Sequence, residues 1–133
     1  MVDVKGFSPR YTAPEVFGRI ISNSTMIPIE DEMKSDVYSY AIILWEMMTR
    51  RTPWSNCISF SFHFSDSLQL FDEIVKETAE IDFQIRSGKR EPIPDAKGDP
   101  NLELISAIIE LSWKQIPSKR PTFKQIDQKL FCC

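Results

Sequence analysis

The chain has 133 residues, 42% of them hydrophobic, and a formal net charge of −3. The apolar share excludes a disordered chain, and the length suits one domain or part of one. The mildly acidic balance argues against a general nucleic-acid binder, which carries a basic face.

The first 33 residues read mostly as loop, punctuated by Pro9, Pro14, Gly18, Asn23 and Pro28, with room for one short helix after Pro14. No secretory signal follows Met1, since Asp3 and Lys5 interrupt any apolar run. Lys34 to Arg50 is the strongest predicted helix. Ser35 is placed to cap it, and Asp36 sets a carboxylate against the positive end of its dipole. Val37, Tyr40, Ala41, Ile42, Ile43, Leu44, Trp45, Met47 and Met48 then cover nearly its whole circumference. A helix apolar all round is expected to be buried on all sides. Its apolar stretch, Val37 to Met48, is broken by Ser39 and Glu46 and falls short of the ~20 residues that span a bilayer. Thr52-Pro53 is the expected stop.

In Ser55 to Ser67, Phe60, Phe62 and Phe64 alternate with Ser61 and His63, a strand period with no obvious partner. A loop insertion with aromatic anchors fits equally. Leu68 to Arg86 predicts an amphipathic helix whose apolar face holds Phe71, Ile74, Val75, Thr78, Ile81 and Ile85, with Gly88 as its stop. A proline- and glycine-rich connection runs to Pro100. Asp99 then caps a helix with Pro100 at its first position, and Trp113 lies near its end. Thr122 and Gln125 match a capping box for a last helix with Phe123, Ile126 and Leu130 on its apolar stripe. The expected fold is mainly α, a buried central helix ringed by amphipathic ones. Cys57, Cys132 and Cys133 are an odd set, and with His63 the only histidine they match no metal spacing, so no metal site is expected. The terminal cysteine pair lacks the four-residue prenylation pattern. Free thiols suit a reducing compartment, and a cytoplasmic location is expected.

Three separated segments fall in order. Ser8-Pro9-Arg10-Tyr11-Thr12-Ala13-Pro14-Glu15 resembles the end of a protein kinase activation segment, with its Ala-Pro-Glu motif. Lys34-Ser35-Asp36-Val37-Tyr38-Ser39-Tyr40-Ala41, followed by Leu44-Trp45-Glu46-Met47, is similar to the opening of the central helix of the kinase large lobe. Trp113 to Phe123, with Pro117, Arg120 and Pro121, resembles the signature near the end of tyrosine and tyrosine-kinase-like kinases. Gly88-Lys89-Arg90 with Ile93-Pro94 also fits the family's turn. Ala-Pro-Glu alone is a weak signal, whereas three motifs in order over residues 8–123 are a specific one. Residues 1–133 then read as a partial kinase domain, the helical C-terminal subdomain from the end of the activation segment to the last large-lobe helix. The 55–67 stretch is longer than the family's usual connection and reads as an insertion.

The resemblance implies a role for each matching residue. Glu15 is expected to pair with Arg120 in a largely buried tie between the activation segment and the end of the lobe. Ala13 and Pro14, and Trp113 and Pro121, are the structural motif residues beside it. Ser8, Pro9, Arg10 and Tyr11 are expected to form the substrate-facing loop. Asp36 matches an aspartate that accepts amide hydrogen bonds from the catalytic loop; alternatively it serves its own helix N-terminus. Phe7 fills the position of a usual glycine, Ala41 replaces another, and Tyr38 stands where tryptophan is common. Ser8 to Tyr11 leans towards serine/threonine kinases, and the Trp113 signature is shared with tyrosine kinases, so a tyrosine-kinase-like serine/threonine enzyme fits both.

This sequence contains no Gly-x-Gly-x-x-Gly, His-Arg-Asp or Asp-Phe-Gly, the motifs that hold ATP and metal and carry the catalytic base. No catalytic residue is therefore assigned, and ATP and Mg²⁺ are implied only for a complete parent kinase. The expectation is a kinase fragment inactive by itself; a kinase-derived, non-catalytic docking or scaffold module is the alternative. Its expected partners are a protein substrate or the missing kinase segments, with no nucleic acid and no membrane span.

Overall fold

The computed structural model describes residues 8–22, 29–55 and 67–131. A 3-10 turn at Pro9–Tyr11 leads into α1 (Pro14–Ser22), α2 (Ile29–Thr49), α3 (Ser67–Arg86) and α4 (Pro100–Ser112). A second 3-10 turn, Pro117–Lys119, precedes α5 (Phe123–Phe131). The architecture is mainly α, with no strand among the described residues. The alternation of Phe60, Phe62 and Phe64 with Ser61 and His63, expected between 55 and 67, lies outside the described residues.

Local signals set three of the helix ends. Gly88 takes a left-handed conformation (φ 92°), which glycine adopts without steric cost. Its amide donates to Ile85 O at 3.1 Å, and that of Lys89 donates to Gln84 O at 3.0 Å, a Schellman closure of α3. The Asp99 side chain accepts from the amides of Asn101 (2.9 Å) and Leu102 (3.4 Å), capping α4. Thr122 and Gln125 form the reciprocal capping box of α5, at 2.9 and 3.1 Å.

Two sequence expectations for α2 are corrected. The helix begins at Ile29, five residues before Lys34. The run Ile29-Glu30-Asp31-Glu32-Met33 carries acidic residues that favour a helix N-terminus. Ser35 and Asp36 consequently lie in the second turn, where neither acts as a cap. The second correction concerns burial. Val37, Tyr38, Ala41, Ile42 and Trp45 are buried, but Met33, Ile43 and Met47 are 55%, 44% and 71% exposed. The elements described here cover α2 from one side only, so its apolar circumference is half used.

The main core joins Tyr38, Ala41, Ile42 and Trp45 of α2 to Ala13 and Phe17, to Ile81 and Ile85 of α3, and to Ile109 and Trp113. A smaller cluster of Val37, Ile108 and Ile126 fastens α5 to α2 and α4. Beside it Tyr40 and Phe123 meet edge to face at 5.7 Å, a favoured aromatic geometry. On α3 the predicted apolar face is only partly realised: Ile81 and Ile85 are buried, but Val75 is half exposed.

Candidate functional site

The substrate-facing loop expected from the sequence starts at Ser8, which is exposed. The Tyr11 amide donates to Ser8 O at 3.1 Å and the Thr12 hydroxyl to the same oxygen at 2.8 Å, curling the loop into its 3-10 turn. Four neighbouring residues hold it. Ser39 of α2 donates to Tyr11 O at 2.6 Å. The Tyr11 hydroxyl donates to Glu46 Oε2 at 2.7 Å. Arg10 donates to Pro53 O and, at 2.5 Å, to Glu77 of α3. Partial burial, then the hydrogen bond and charge of Glu46, push the Tyr11 phenol above its ordinary value. Pro9 opens the turn, where its fixed φ suits the first position. Arg10 and Tyr11 are thus spent on fixing the loop's shape, and Ser8 is the member left facing solvent.

Ala13 and Pro14 are buried, and they deliver Glu15 into the first turn of α1. Glu15 and Arg120 form a bidentate pair: Nη1 to Oε1 at 2.6 Å and Nη2 to Oε2 at 2.9 Å. The Arg120 side chain is 0% exposed and that of Glu15 21%. Ser35 adds a hydroxyl donor to Glu15 Oε1 at 2.8 Å. The remaining guanidinium hydrogens reach Lys114 O at 2.8 Å, Lys34 O at 3.0 Å and Gln115 O at 3.4 Å. Lys34 donates back to Arg120 O. Burial pushes the Glu15 carboxyl up, but the hydrogen bond and charge of Arg120, with the Ser35 hydroxyl, outweigh it and hold the carboxyl below 4.5. Pro121 follows, half-buried, and Trp113 is buried in the main core.

Behind the pair lies a layer that sequence reasoning missed. The Tyr38 ring is fully buried, with the guanidinium of Arg120 5.2 Å from its centroid and that of Arg90 5.1 Å away. Both distances suit cation–π attraction. Arg90 is held by Trp113 O at 2.7 Å and Gln115 Oε1 at 2.8 Å. Burial lowers its pKa. Burial also pushes the Tyr38 phenol up to about 12, against the pull of the two arginines. The Tyr38 hydroxyl has no hydrogen-bond partner among the described residues. The Gly88-Lys89-Arg90 turn marked Arg90's place in sequence; nothing local signalled that it would stack on Tyr38.

Asp36 is exposed. Among the described residues no group of three or more His, Cys, Asp or Glu side chains converges. The arrangement fixes a loop and ties two ends of a helical body together. No helix among the described residues is long and apolar enough to cross a membrane.

Comparison with known proteins gives this geometry its context. A family profile described as "Protein tyrosine and serine/threonine kinase" matches residues 3–130. The chain is 35% identical over 119 residues to dual specificity protein kinase shkC of Dictyostelium discoideum, covering 90% of this chain and 18% of that protein. It is 32% identical over 126 residues to mitogen-activated protein kinase kinase kinase 7 of Bos taurus, covering 95% and 16%. It is 29% identical over 119 residues to receptor-interacting serine/threonine-protein kinase 1 of Homo sapiens, covering 90% and 14%. The chain therefore spans less than a fifth of each of these relatives. With its helical body, its Ala-Pro-Glu segment and its Arg-Pro signature, the chain belongs to the protein tyrosine and serine/threonine kinase family and corresponds to the C-terminal part of the large lobe.

Proposed function

We propose that this chain is the scaffold part of a tyrosine-kinase-like protein kinase whose complete form transfers the γ-phosphate of ATP to serine or threonine of protein substrates. In that reading Ser8 to Tyr11 shape the pocket beside the acceptor residue, and Glu15–Arg120 ties that loop to the end of the lobe. The observation that carries it is the buried Glu15–Arg120 pair joined to a loop whose Arg10 and Tyr11 are both locked. ATP and Mg²⁺ belong to the complete kinase, and signalling in the cytoplasm is its proposed setting. Phosphoryl transfer rests on positioned donors and metal ions around the transferring group. This chain's residues supply none of them, so by itself it is inactive. The test is a radiolabelled ATP transfer assay on the purified chain with a generic protein substrate. No transfer above blank is expected, and transfer that scales with chain concentration would refute the reading.

The alternative is a non-catalytic docking or scaffold module, favoured by one observation: Met33, Ile43 and Met47 stand exposed on α2. Ile43 and Met47 lie one turn apart, and neighbouring exposed apolar side chains mark a surface that associates with something. Light scattering separates the two. Self-association of the chain that disappears in a Met47→Gln, Ile43→Gln variant supports a fragment with an uncovered face. A clean monomer with cooperative unfolding supports the adapted module.

A further inference from the structure

A groove of about 660 Å³ runs between the end of α4, the Pro117–Lys119 turn and α5, open to solvent. Leu111 and Pro121, both half-buried, contribute its apolar wall, and Gln125, Gln128, Lys119 and Lys129 contribute its polar one. Its ionisable lining is entirely cationic. Arg120 also borders it, but that guanidinium is committed to Glu15. The carboxylates nearest in sequence, Glu110 and Asp127, do not line it. Lys119 and Lys129 take no part in the ion pairs found among the described residues. Gln125 spends its carbonyl oxygen on the Thr122 amide, so its NH₂ is left to donate. The groove thus offers ammonium and amide donors at its polar wall beside a short apolar wall.

We propose that this groove binds an acidic peptide segment of a protein partner. Carboxylates of the peptide pair with Lys119 and Lys129, its backbone carbonyls accept from Gln125 and Gln128, and an apolar side chain rests on Leu111 and Pro121. An extended peptide suits an open groove with one polar and one apolar wall better than a small anion, which needs an enclosed cradle. Nucleic acid fits poorly: affinity for it grows with the number of phosphates neutralised, and strand binding needs aromatic stacking platforms. The groove has two uncommitted cations and no aromatic lining residue, on a chain of net charge −3.

The test is fluorescence anisotropy with the full chain and a short fluorescein-labelled peptide alternating glutamate and leucine. The control peptide has glutamine in place of glutamate. Binding of the glutamate peptide that weakens with added salt is expected. The double variant Lys119→Glu, Lys129→Glu should weaken it at least about tenfold, since two attractive pairs become repulsive. A Lys76→Glu, Lys89→Glu variant changes the net charge equally at exposed positions elsewhere and should leave affinity within about twofold. Should the groove double variant fail to melt cooperatively, Gln128→Glu, which places a carboxylate in mid-groove, should weaken binding severalfold. Equal loss in both double variants, equal binding of the glutamine peptide, or tighter binding of a single-stranded oligonucleotide would each overturn the proposal.

Discussion

Replacing Glu15 with glutamine keeps the shape of the side chain and removes its charge. Arg120 would then be buried with no carboxylate, its side chain 0% exposed. Breaking a buried pair from one side costs about 3–5 kcal/mol, because the other charge is stranded. Two features of this site lower that figure. Glu15 is partly exposed, and Arg120 keeps the carbonyl oxygens of Lys114, Lys34 and Gln115. Glutamine also retains one acceptor. A loss of about 2–3 kcal/mol is expected, large against the ~5–15 kcal/mol of a typical domain. Urea unfolding followed by tryptophan fluorescence measures it, since Trp45, Trp54 and Trp113 are all buried. An unchanged dependence on urea assigns the shift in midpoint to stability. The double variant Glu15→Leu, Arg120→Met removes both charges and should recover much of the loss, as apolar replacement of buried pairs often does. A Glu15→Gln cost below about 0.5 kcal/mol, the range of an ordinary surface change, would refute the stranded-charge account. So would a double variant less stable than the single one.

The acid limb of stability tests the same pair by titration. Glu15 is held below its ordinary value of 4.5, so its contribution is complete above that pH. It is lost as the pH falls through 4.5 and then through the lower folded value. The stability gap between wild type and Glu15→Gln should therefore narrow in acid unfolding scans; a constant gap contradicts the assignment. Tyr38→Phe removes a buried hydroxyl that has no partner among the described residues and keeps the ring against both guanidiniums. It should be neutral or stabilising by about 1 kcal/mol in urea melts, and a clear destabilisation would reveal a partner for that hydroxyl. Because the Tyr38 value is raised from 10.0 to about 12, its contribution is complete below 10.0 and is lost as the pH rises towards about 12. That component of alkaline unfolding should vanish in Tyr38→Phe. Tyr11→Phe removes the hydrogen bond to Glu46 and should cost about 1–2 kcal/mol in the same melts. Amide exchange should quicken from Ser8 to Thr12, and unchanged exchange there would argue against the loop-fixing role.

The sequence by itself determined the helix stops and starts encoded within a few residues. Asp99 before Pro100, Thr122 with Gln125, and Gly88 after Arg86 each satisfy backbone groups at a helix end locally. It also determined the order of the family motifs, and with it the expectation that Glu15 meets Arg120. Only the tertiary structure decided what surrounds that meeting. Ser35 reads as a cap in sequence, but once the acidic run from Ile29 extends α2, its hydroxyl lies in the second turn and turns to Glu15 instead. Arg10 looked like a residue for substrate and is held by Glu77, 67 positions away. Tyr38 and Arg90 carried no local sign of their stack, because it exists only where α2 and the turn after α3 converge on Arg120. The same holds for α2's apolar circumference. Periodicity reports that Ile43 and Met47 want cover, and packing decides which side receives it. Caps and periods are written in residues three or four apart, whereas charge pairing and burial depend on which elements the chain brings together in space.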